Sequence, residues 1–70
     1  MDIVDKIIAL ESGTLDDQST IELFGELIRS GTVWNLQGSY GRTATVLIQK
    51  GLIDPTGMIN QVLVDELLEA

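Results

Sequence analysis

The chain has 70 residues, 44% of them hydrophobic, with eleven acidic side chains against four basic ones and neither Cys nor His. Such a length supports one small core, and the inventory removes disulfides, thiolate and imidazole metal sites, and catalysis with His or Cys as base or nucleophile. A net charge of -7 and an isoelectric point near 4.1 are the reverse of a phosphate-binding footprint, so no direct contact with nucleic acid or an anionic membrane surface is expected.

Residues 2–12 carry Ile3, Val4, Ile7, Ile8 and Leu10 at spacings of three and four, which predicts a helix with one apolar face, ended by Gly13. Asp2, Asp5 and Lys6 within it match neither the basic start nor the uninterrupted apolar run of a secretory signal. No apolar run approaches the ~20 residues that span a bilayer, and the expected setting is cytoplasmic.

Asp16 is an N-cap candidate and Asp17 adds negative charge to the first turn of a second helix, predicted over 17–30 and closed by Gly31. Its inward stripe is Thr20 or Ile21, then Phe24, Leu27 and Ile28, with Leu23 on the margin. Gly25 lies inside this helix, where it costs about 1 kcal/mol relative to Ala. It reads either as a point of close helix approach or as a tolerated surface glycine. Glu22 and Glu26, four apart on the outer face, repel mildly, and read either as a solvated face or as an acidic surface kept for a partner.

From Trp34 to Arg42 the periodicity stops, and nine residues gather the only Trp, the only Tyr and two of the seven glycines. Gly38-Ser39-Tyr40-Gly41 matches the GXXG spacing with which KH domains clamp a nucleic-acid backbone, but a KH domain also needs flanking strands and a basic groove, and the chain supplies neither. Two readings remain. In one, backbone N–H groups of Gly38, Ser39 and Gly41 converge with the Arg42 guanidinium on a small anion such as a phosphate or nucleotide. In the other, Gly38 and Gly41 take positive φ, Ser39 caps the next helix, Trp34 and Tyr40 pack over the core edge, and Arg42 pairs with a nearby acid.

A third helix over 42–50 turns Ala44, Leu47 and Ile48 inward with Val46 at the flank, and Gly51 and Leu52 provide a Schellman ending in which Leu52 meets Leu47. Asp54-Pro55-Thr56-Gly57 favours a type I turn over a helix start capped by Asp54, and residues 52–59 have a minimal hairpin as their alternative. A final helix over 60–69, with Ile59, Leu63, Val64, Leu67 and Leu68 as its apolar residues, places Glu66 and Glu69 at the unfavourable end of its dipole. The expectation is a single all-α domain over 1–70, a small compact bundle of three to four short helices with an irregular, Gly-rich connection in the middle.

The stretch Leu36-Gln37-Gly38-Ser39-Tyr40-Gly41-Arg42-Thr43-Ala44, followed by Leu47-Ile48 and Gly51-Leu52-Ile53, resembles a family of small uncharacterised proteins of tailed bacteriophages. Upstream, Leu15-Asp16-Asp17, Ile21, Leu23-Phe24, Leu27-Ile28, Gly31 and Trp34 extend the resemblance, which covers residues 8–53 and leaves out the segment from Asp54 to Ala70. It implies a setting, the cytoplasm of an infected bacterial host, and supplies no mechanism.

Neither an enzyme nor a cofactor is expected. Asp16 and Asp17 are adjacent, so on a helix they point about 100° apart rather than forming a carboxylate pair, and no calcium-loop pattern occurs. The leading expectation is a non-enzymatic interaction protein that binds and modulates a host or phage protein, with Trp34, Tyr40 and Arg42 as contacts and Glu22 and Glu26 as acidic contributors. A mean hydropathy of +0.24 is high for so short a chain, which makes a self-assembling accessory protein, a homodimer or larger homo-oligomer, the alternative. A binder of small anions at Gly38, Ser39, Gly41 and Arg42 is the third.

Overall fold

The computed structural model describes residues 3–36 and 38–69. Asp2, which the first predicted helix includes, and Gln37 and Ala70 of the segments above lie outside the described residues. The chain is a small all-α bundle with four α-helices among the described residues: α1 (Ile3–Glu11), α2 (Asp17–Ser30), α3 (Tyr40–Gln49) and α4 (Gln61–Glu69), with a 3-10 helix at Thr32–Asn35.

The other elements pack around α2, whose ends are written locally. The Asp16 carboxylate accepts the Ser19 N–H at 2.7 Å, and Gly31, at φ 77°, returns its N–H to the Ile28 carbonyl. Leu23, Phe24, Gly25, Leu27 and Ile28 are all buried. Leu23 is completely so, which corrects its marginal assignment: α2 is covered from more than one side, so its buried arc is wider than a single stripe.

On α1, Ile3, Ile7 and Leu10 pack against the core, while Val4 and Ile8, expected to share that face, are exposed. The helix closes as a Schellman motif, the Gly13 N–H bonding the Leu10 carbonyl and the Thr14 N–H that of Ala9. One ion pair, Lys6 Nζ to Glu26 Oε2 at 3.2 Å, joins α1 to α2. Both ends are partly exposed, so the pair contributes about 1 kcal/mol at most.

The link from α2 to α3 opens with the Thr32–Asn35 turn of 3-10 helix, which overlaps the aperiodic stretch at Trp34 and buries Val33 completely. Four residues carry no readable helical period, and Val33 was therefore absent from the expected core. The third helix begins at Tyr40, two residues earlier than expected, so Gly41 lies in its first turn. Of the two connection glycines only Gly38 has a positive φ, 79°. Ser39 occupies the N-cap position, but its side chain makes no capping bond, and the expected cap is corrected accordingly. Ala44 is the fully buried contact of α3.

At its other end α3 closes as expected, with Gly51 N–H to the Ile48 carbonyl and Leu52 N–H to that of Leu47, both at 3.0 Å. Residues 52–59 join the turn and hairpin alternatives in one structure. Asp54 and Met58 pair through Asp54 N–H to the Met58 carbonyl, Gly57 N–H bonds the Asp54 carbonyl, and Ile53 and Ile59 form an isolated antiparallel bridge. Ile53 is completely buried, so the turn drives a side chain into the core rather than merely linking helices.

Gly25 is where this hairpin meets α2. A Cβ built on Gly25 would stand 3.0 Å from the Gly57 carbonyl oxygen and 3.2 Å from Ile59 Cγ1. The close approach is thus to a turn, not to another helix.

Asn60 starts α4, its side chain accepting the Leu63 N–H at 3.2 Å. Gln18 and Gln61 exchange side-chain amide bonds of 3.0 and 2.9 Å, tying the starts of α2 and α4. Val64 is completely buried, but Leu67 and Leu68, expected on the covered face, are 54% and 43% exposed. The apolar stripe of α4 runs past the end of the core.

Candidate functional site

The last turn of α1, the first half of α2 and the start of α3 enclose an open cleft of about 650 Å³, within the range of small-molecule pockets. Leu10 and Phe24 supply its apolar side chains, Glu11, Thr20, Ser39, Tyr40 and Thr43 its polar ones, and Gly38 completes the lining. The arrangement depends on Tyr40. Its ring lies beside that of Phe24, centroids 6.2 Å apart, and its hydroxyl donates to Glu11 Oε1 at 2.6 Å. This hydrogen bond to a carboxylate, reinforced by desolvation and by the Glu11 charge, raises the phenol above its ordinary pKa of 10.0.

On the outer side of α3 the surface differs. Trp34 is 53% exposed, and its Cε3 would stand 3.8 Å from a Cβ on Gly41, so the indole leans over the first turn of α3. Arg42, the next residue, is exposed and has no ion pair or hydrogen bond among the described residues. The expected pairing of Arg42 with an acid is corrected: Glu11 is held by Tyr40 and Glu26 by Lys6. One turn further along the same face Val46 is 41% exposed. The first two turns of α3 thus bear the exposed Arg42 and Val46, with the Trp34 indole over the neighbouring Gly41.

The structure divides the residues that the sequence groups together. Gly38, Ser39 and Tyr40 belong to the cleft, whereas Gly41 and Arg42 do not line it. Tyr40 is half-buried and lines the cleft, which Trp34 does not. Glu22, exposed, accepts the Gln18 side-chain amide at 2.9 Å, and Glu26 faces α1 through Lys6 rather than solvent alone. Glu11 is the charged cleft residue that the sequence does not announce. It lies 29 positions from Tyr40, and no local pattern joins the two. Among the described residues no group of three or more acidic side chains is placed to hold a metal ion, and no helix is long and apolar enough to cross a membrane.

The family described as Domain of unknown function (DUF7417) has a model that matches residues 1–69, and the chain belongs to this family. Comparison with curated proteins and with solved structures gave no match.

Proposed function

We propose that this member of the DUF7417 family is a binding module without catalytic chemistry of its own, docking on another protein through the face that carries Trp34, Arg42 and Val46. The observation that carries this reading is that the first turn of α3 bears both a half-exposed indole leaning over Gly41 and, at Arg42, an exposed guanidinium with no partner among the described residues. Trp and Arg are the residue types that dominate interface hot spots, and covering the indole removes apolar area from water at ~25 cal/mol per Å². The net charge of -7 favours encounter with a basic partner surface. By the resemblance over residues 8–53, the setting is a phage-infected bacterium and the partner a host or phage protein. A pull-down from bacterial lysate with tagged protein, comparing wild type with a folded Trp34→Ala, Arg42→Ala double variant, tests the assignment. A protein retained by wild type and lost by the variant supports it, and equal retention by both removes this face from the interaction.

A second reading, self-association, is favoured by the exposure of Leu67 and Leu68 beyond the core. Under that reading Leu67→Glu with Leu68→Glu converts an oligomer to a monomer in light scattering while Val64 stays buried and the fold persists. A monomer at high micromolar concentration before substitution excludes it.

A further inference from the structure

We propose that the cleft between α1, α2 and α3 binds a primary ammonium or guanidinium group carried on an apolar stem, with Glu11 as its acceptor. The cleft has an apolar wall of Leu10 and Phe24, and its charged lining group is the Glu11 carboxylate. Tyr40 occupies one oxygen of that carboxylate, Oε1. Oε2 has no hydrogen bond among the described residues, and a carboxylate has acceptor sites for several donors. The tyrosine therefore orients the group without saturating it. The Ser39 and Thr43 side-chain hydroxyls are likewise without partners among the described residues, and both residues line the cleft.

The charge of the occupant follows from what is missing from the walls. No Lys or Arg is among the lining residues. Lys6 is paired with Glu26, Arg29 donates to the Gly57 carbonyl, and Arg42 lies on the outer face of α3. An anion at Gly38 and Ser39 would meet the Glu11 charge with no cation to offset it. A cation gains a charge-assisted hydrogen bond there, and the acidic molecule raises the local concentration of cations around it. The apolar wall then selects an ammonium or guanidinium with a hydrophobic stem over a hydrated inorganic cation.

Titration of ¹⁵N-labelled protein with phenethylamine, 2-phenylethanol and phenylacetate tests this, followed through the amide resonances of Gly38, Ser39 and Thr43. The amine is expected to bind about tenfold or more tighter than the isosteric alcohol, and Glu11→Gln to remove most of that advantage while the dispersion of the spectrum is retained. N-acetyl-arginine amide, run alongside, distinguishes the two sources of the same chemistry. Tighter binding of phenethylamine assigns a free amine, and tighter binding of the arginine derivative assigns a basic side chain of a partner; either supports the proposal. Equal binding of amine and alcohol, preference for phenylacetate, unchanged amine affinity in Glu11→Gln, or no shift with any cationic probe at about 10 mM overturns it.

Discussion

Gly57 and Gly25 pack backbone to backbone. A Cβ on Gly57 would lie 2.5 Å from the Gly25 carbonyl oxygen and 2.7 Å from the Arg29 amide nitrogen, while Gly57 itself sits at φ 91°. The missing side chains let the 53–59 hairpin lie directly on α2, and this seats Ile53 in the core.

Gly57→Ala is expected to lower stability by about 2–4 kcal/mol, because it combines a strained φ with a clash against main chain that cannot rotate away. Gly25→Ala meets a softer neighbourhood, partly the end of the Ile59 side chain, and gains helix propensity of about 1 kcal/mol. Its net cost is smaller than that of Gly57→Ala. Urea denaturation of both variants checks the order; a Gly57→Ala protein as stable as wild type would remove the close approach.

Asp54 offers a test by pH. Its carboxylate accepts the Thr56 hydroxyl at 2.6 Å and the Thr56 and Met58 N–H groups at 2.8 and 3.0 Å. The Thr56 side-chain bond, then the Met58 backbone bond, lower its pKa from the ordinary 3.8. A depressed folded pKa means that the contribution is fully present above the unfolded value and is lost as pH falls through the folded one. The stability gap between wild type and Asp54→Ala is therefore expected to be constant at neutral pH and to shrink below about pH 4. Thermal denaturation of both proteins from pH 2 to 7 measures it, and a gap that does not vary with pH contradicts the assignment.

Tyr40 runs in the opposite sense. Its raised pKa reflects a hydroxyl that donates to Glu11, so the contribution is present below pH 10.0 and is lost as pH rises through the higher folded value. Being the single Tyr, it can be titrated directly by absorbance near 295 nm. Wild type should ionise above pH 10, and Glu11→Gln should bring the midpoint down toward the ordinary value.

Val33 and Trp34 are neighbours with opposite roles, the first completely buried and the second half-exposed. Val33→Ala is expected to cost about 2 kcal/mol through lost burial and a residual cavity. Trp34→Ala should cost about 1 kcal/mol or less. Denaturant midpoints that reverse this order would place the indole in the core instead of on the proposed docking face.

What the sequence made legible is what short-range chemistry writes. Asp16 and Gly31 frame α2, and Gly51 with Leu52 ends α3, because each cap is made by residues within a few positions of the helix end. The all-α class follows from the periodicity of the long segments. Val33 leaves no signal in the sequence because a single 3-10 turn shows no period, and Leu23 falls at the margin of a one-stripe pattern whereas α2 is covered more widely. The Gly25–Gly57 and Glu11–Tyr40 contacts join residues far apart in the chain, so neither leaves a local mark. The central segment was recognisable as unusual, but its division into a cleft side and an outer side depends on where α3 begins, two residues before the predicted start.

Two of the side-chain ties on α2 answer differently to ionic strength. The Lys6–Glu26 tie to α1 is an ion pair open to solvent, which dissolved salt screens within a Debye length of about 8 Å at physiological concentration. The Gln18–Gln61 tie to α4 is an exchange of neutral amides, to which the same screening does not apply. Salt therefore weakens the charged tie to α1 while leaving the α4 clasp in place. Since α1 also contributes Leu10 and Glu11 to the cleft, the tie that the electrolyte weakens is made by the helix that carries the cleft's carboxylate.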